Sequence, residues 1–61
     1  MQLRYARKLH HRDQVTLKAT KETGYVVKVC EPIVLGGRTL LCFQLQMPST
    51  GFCTATHLEI Q

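Results

Sequence analysis

The stretch IVLGGRTLLCFQLQM, residues 33 to 47, constrains the fold more than any other part of the chain. Apolar runs flank Gly36-Gly37, and two glycines between such runs signal a hairpin, because the tightest strand connections need positive φ at both central residues. Beyond the glycines the side chains alternate. Leu41, Phe43, Leu45 and Met47 share one face, while Leu40, Cys42, Gln44 and Gln46 share the other. A repeat of two belongs to a strand and not to a helix, and the uniformly apolar odd face is the predicted core.

The rest of the body reads the same way. VTLKAT sets Val15, Leu17 and Ala19 on one face against Thr16, Lys18 and Thr20. KETG is a polar turn in which Gly24 is available for positive φ. YVVKVCE is rich in β-branched residues; Lys28 marks its wet face, and either Val26 or Val27 must point away from the core. Pro32 has no N–H to give a ladder and marks an edge, a bulge or a strand end. PSTG is a further turn. FCTATHLEI supplies two short strands about a 3₁₀ turn at residues 54 to 57, with Leu58 and Ile60 inward and Glu59 outward. Short strands at such close intervals predict an all-β domain, a small five-stranded barrel over residues 13 to 61.

Size limits what this body can do alone. A chain of 61 residues is one domain that buries only about 60% of its unfolded surface, and domains this small lean on a disulfide, a metal or self-association. Cys30, Cys42 and Cys53 are odd in number, and their spacing suits neither a disulfide framework nor a zinc site. Cys53 and His57 alone have ligand-like spacing. The expectation is reduced cysteines used as small hydrophobes, with no metal and no cofactor. No apolar run reaches the roughly 18 residues of a membrane span. The basic N-terminus is not followed by the apolar region of a secretory signal. The expected setting is cytoplasmic, with no membrane partner.

Charge divides the chain. Residues 1 to 12 hold Arg4, Arg7, Lys8 and Arg12 with no acid; residues 13 to 61 hold Lys18, Lys21, Lys28 and Arg38 against Asp13, Glu22, Glu31 and Glu59. The first part therefore carries the whole formal charge of +4, which reads as a basic arm on a neutral body. The arm is expected to be an extended or partly helical lead-in that packs through Leu9 and Tyr5, with a helix as the nearest rival.

RDQVTLKATKETGYVVKV resembles the opening hairpin of SH3-like barrels of the KOW and Tudor type, at Asp13, Val15, Gly24 and Val26. TGFCTATHLEI resembles the SH3 ending, in which a strand, a 3₁₀ turn and a short last strand close the barrel. The resemblance implies a small binding module for peptide, RNA or DNA. Proline-rich peptides and methylated lysines need aromatic-lined sites, and Tyr5, Tyr25, Phe43 and Phe52, with no Trp, are too few. FQLQ at residues 43 to 46 is a superficial echo of type II dihydrofolate reductases, whose Val-Gln-Ile-Tyr signature is absent.

Two functional readings follow. In the first the module binds nucleic acid: Arg4, Arg7, Lys8 and Arg12 approach phosphates, Lys18 and Lys28 extend the patch, and Tyr5 stacks on a base. In the second it is an adaptor or subunit. Ile33, Leu35, Leu40, Cys42 and Gln44 then form an interface with a second copy or a protein partner, and the arm answers an acidic surface or stays solvated. A catalytic role is not expected, nor a small-molecule substrate. Ser49 lies in a turn, the cysteines lie in apolar strands without a cation nearby, and the four acids are scattered.

Overall fold

A computed structural model describes all 61 residues. It begins with a one-turn helix, α1 (Leu3–Ala6), and continues through six strands: β1 (Gln14–Thr16), β2 (Thr23–Val29), β3 (Ile33–Leu35), β4 (Arg38–Leu40), β5 (Cys42–Met47) and β6 (Gly51–Thr56). A 3₁₀ turn, His57–Glu59, follows. The strands form two antiparallel sheets, one of four strands in the order β1-β2-β5-β6 and one of two, β3-β4. The expectation of a mostly β domain holds. The five expected strands are six in two sheets, and they do not close into one continuous barrel.

The core is the inward face of the larger sheet. Phe43 and Leu45 are 0% exposed, and Val15, Val26, Met47, Ala55 and Ile60 pack with them. These are the odd residues of β5 and their counterparts across the ladder, Val26 opposite Leu45 and Ala55 opposite Phe43. Ala6 of α1 is buried in the same cluster, with Met1 and Leu9 packed against it. The leading segment thus docks through Ala6 and Leu9, while Tyr5 stays exposed.

Three departures from the alternation have physical causes. The run from Arg38 to Met47 is not one strand, because at Leu41 the chain passes from the smaller sheet to the larger. There the Leu41 N–H donates to Nδ1 of His57 at 3.2 Å, and the Leu41 carbonyl accepts the His57 N–H at 2.9 Å. β2 carries a bulge at Val27, between Val26 opposite Leu45 and Lys28 opposite Gln44. The extra residue leaves Val26 inward and brings Lys28 outward. Leu58 is exposed whereas Ile60 is fully buried, because the 3₁₀ turn replaces alternation just before the chain end. There Leu17 and Ile60 form a bridge, flanked by Lys18 N–H to the Glu59 carbonyl (2.9 Å) and Gln61 N–H to the Thr16 carbonyl (2.8 Å). The last residues thus return to β1.

The glycines also divide by role. Gly36 and Gly37 have φ of 55° and 76°, the pattern of a tight hairpin between Leu35 and Arg38. Gly24 is not a positive-φ turn residue; it lies within β2, buried, and a Cβ there would run into the Gln46 carbonyl and the Met47 sulfur. Gly24→Ala is therefore expected to lower unfolding free energy by about 1–3 kcal/mol through overpacking. Gly36→Asn, in open space at a φ that Asn tolerates, is expected to stay within about 0.5 kcal/mol of the parent. Urea unfolding followed by circular dichroism measures both.

Candidate nucleic-acid interface

Pairing across the larger sheet places side chains in rows on its outer face. Tyr25 lies between Gln14 and Gln46, and Gln46 lies between Tyr25 and Phe52, so Gln14, Tyr25, Gln46 and Phe52 form one row across four strands. Tyr25 and Phe52 are 54% and 66% exposed. Two strand spacings separate them, about 10 Å. The next row is Lys28, Gln44 and Thr54, an alignment made by the bulge at Val27. Arg12 reaches the same face: its N–H donates to the Val26 carbonyl at 2.7 Å, and it lines with His11, Tyr25, Gln46 and Phe52 a shallow groove of about 440 Å³.

Arg12 is fixed there by its backbone. It takes a φ of 77°, and the turn before it is held by the Asp13 carboxylate, which accepts the His10 N–H at 2.8 Å. The same carboxylate lies 3.8 Å from Nδ1 of His10, the one acid–base side-chain contact in the chain. None of the eight Lys and Arg side chains pairs with a carboxylate, and all eight residues are exposed. Glu22 accepts the Ser49 hydroxyl, and Glu59 accepts the Thr56 N–H at 2.6 Å. The Lys and Arg charge is free of internal carboxylate partners.

The seven residues expected to meet nucleic acid do not share one patch. Arg12 lines the groove of the aromatic row, and Lys28 lies in the row beside it. Arg4 stacks on Tyr5, its guanidinium carbon 5.0 Å from the ring centre, so the Tyr5 ring already carries a cation. Arg7 and Lys8 are exposed at the end of α1. Lys18 lies elsewhere, in a cleft with Arg38 and His57. Tyr25, Phe52 and Arg38 escaped the sequence reading. An alternation count of FCTAT would have flagged Phe52, the one large apolar residue in phase with Thr54 and Thr56. Tyr25 needed the pairing register.

The expected interface is likewise divided. Ile33 and Leu35 are exposed on β3, and Leu40 and Gln44 are half-buried, the latter on the outer face of the larger sheet. Cys42 is a correction: it is buried, opposite Thr56, and its carbonyl accepts the Cys30 N–H at 2.9 Å. Burial, and then the Cys30 thiol beside it, push the Cys42 thiol above its ordinary range. It is not free to meet a partner. The three cysteines are unbridged, and no three His, Cys, Asp or Glu side chains converge as metal ligands would. No helix is long and apolar enough to cross a membrane.

No family model, curated protein or solved structure matches the chain. The functional reading therefore rests on its own residues.

His57, which ties the two sheets together, makes the fold sensitive to pH. Burial first, then the N-terminal ammonium and Arg38, push its pKa below the ordinary value. The unfolded chain takes up a proton near pH ~6.5, above the pH at which the folded chain does. Stability is thus full above the unfolded pKa and falls as pH drops below it, because protonation favours the unfolded state. The urea midpoint is expected to be lower at pH 5.5 than at pH 7.5. In His57→Asn, whose side-chain oxygen can still accept the Leu41 N–H, this part of the pH dependence is expected to vanish. An equal slope in both proteins would contradict the assignment.

Proposed function

We propose that the chain is a small non-catalytic module that binds single-stranded nucleic acid on the outer face of its larger sheet. Tyr25 and Phe52 stack on bases, Gln46 between them offers both hydrogen-bond donors and an acceptor to base edges, and Arg12 and Lys28 meet the phosphates. The observation that carries this reading is the placement of two exposed aromatic rings in one row of a sheet whose flanking cations have no internal partner. Aromatic platforms edged with positive charge suit single strands, because every base has a π face and duplex bases are not open to stacking. A spacing of about 10 Å between the rings suits bases splayed apart rather than continuously stacked. An SH3-like barrel remains the proposed fold family; its support is the meander β1-β2-β5-β6 followed by a 3₁₀ turn and a return to β1. A cytoplasmic setting suits such a module.

A second reading is self-association. Ile33, Val34 and Leu35 are all exposed, Val34 and Leu35 at 68% and 62%, on a strand whose outer edge has no partner. An apolar free edge of this kind invites pairing with the same edge of a second copy.

Fluorescence anisotropy with labelled single-stranded RNA and DNA tests the first reading. Tyr25→Ala and Phe52→Ala are each expected to cost about 1–3 kcal/mol of binding, roughly 5- to 150-fold. Arg12→Gln is expected to flatten the salt dependence by about 0.7 in the log–log slope. Absence of binding at low salt, or aromatic variants that bind as the parent does, would exclude it. Light scattering tests the second reading: a dimer mass that falls to one chain in Val34→Glu supports it, and a parent mass of one chain excludes it.

A further inference from the structure

A second cleft shares no residue with the aromatic groove. Lys18, Arg38 and His57 line it, from the turn after β1, the start of β4 and the 3₁₀ turn, with Thr39 and the Met1 end of the chain beside them. No acidic residue lines it. Glu59 lines a neighbouring groove that Lys18 also borders; one oxygen of its carboxylate accepts the Thr56 N–H, and it makes no ion pair with Lys18. The Met1 ammonium is held by the carbonyls of His57 and Ile60, and burial first, then Lys18, disfavour its charge. Lys18 and Arg38 both stand close enough to disfavour a proton on His57. Neither Lys18 nor Arg38 makes an ion pair within the protein, an arrangement that a bound anion would complete.

His57 supplies the observation that points to a ligand. Its side chain is all but buried, at 4% exposure. Nδ1 accepts the Leu41 N–H, which places the ring proton on Nε2. Nε2–H has no partner in the protein, yet it is not sealed from solvent. His57 lines the cleft. A neutral imidazole thus keeps one unpartnered N–H donor on a residue that lines the cleft together with Lys18, Arg38 and Thr39.

We propose that this cleft binds a phosphate monoester, its dianionic head between Lys18 and Arg38 and one oxygen on the Nε2–H of His57. Two unpaired cations match a dianion better than a single carboxylate. The guanidinium and the N–H supply directional donors that a tetrahedral group with three terminal oxygens can use together. The cleft, about 720 Å³, is roomier than one phosphate and leaves space for the organic part of an ester. The ester is either a strand-terminal phosphate or a free phosphorylated small molecule; the recognising chemistry is the same.

Calorimetric titration of the full chain with inorganic phosphate, with a 5′-phosphorylated trinucleotide and with its 5′-hydroxyl counterpart tests the site. Saturable binding of phosphate is expected, weakened tenfold or more in Lys18→Gln and in Arg38→Gln, both exposed positions whose change leaves the core intact. The nitrogen resonance of His57 Nε2 is expected to shift on titration of the parent. A gain from the 5′-phosphate that Arg38→Gln abolishes identifies a strand end. Phosphate binding without that gain identifies a free small molecule. Either result supports the site. Absence of saturable phosphate binding, both variants binding as the parent does, or tighter binding of an oligoglutamate peptide would overturn it. Tyr25→Ala and Phe52→Ala leave phosphate binding unchanged, so failure of the stacking reading and failure of this one are separable.

Discussion

Strand β5 is hydrogen-bonded on both sides, to β2 and to β6, and this double pairing decides which of its side chains leave water. With Gln46 opposite Tyr25 and Phe52, Phe43 and Leu45 must face inward, where they are fully buried. A slip of one residue would send those side chains into solvent and bring Gln44 and Gln46 into the core. The same register therefore fixes the apolar interior and the exposed aromatic row. Core and exposed aromatic row are two consequences of one alignment.

Two local devices adapt that alignment. The bulge at Val27 keeps Val26 inside and turns Lys28 outward beside Gln44; in an unbroken strand Val27 would share the face of Tyr25, and no cation would stand in the adjacent row. His57 holds Leu41 through both its backbone N–H and its ring. There the chain leaves the β3-β4 hairpin and enters the larger sheet. The imidazole must be neutral at Nδ1 to accept that bond, which leaves its other nitrogen as a donor. The group that joins the two sheets is thereby also the group that faces the cationic cleft.

Much of this was legible in the residues because it depends on alternation over short distances. Phe43, Leu45 and Met47, the Gly36-Gly37 turn and the inward Val15 and Ile60 all follow from local pattern. What escaped depends on pairing between distant segments. Nothing near Leu41 indicates that its N–H will meet a histidine sixteen residues on, so a sheet change reads as one long strand. Gly24 resembles a turn glycine until Met47 is placed against it. The arm, read as charge alone, hid Ala6, which is buried in the core. Cations that looked like one patch are apportioned by the fold to the aromatic row, to the Tyr5 ring and to the cleft around His57, because β1, β2 and the hairpin carry them to different edges.

Cross-strand nuclear Overhauser contacts in a labelled sample measure the alignment of β5 directly. Backbone protons of Gln46 are expected to show contacts with those of both Tyr25 and Phe52, and the Phe43 ring with Val26 and Ala55. Contacts placing Gln46 opposite Val26 or Cys53 instead, with Phe43 open to solvent, would contradict the register on which the core and the exposed aromatic row both depend.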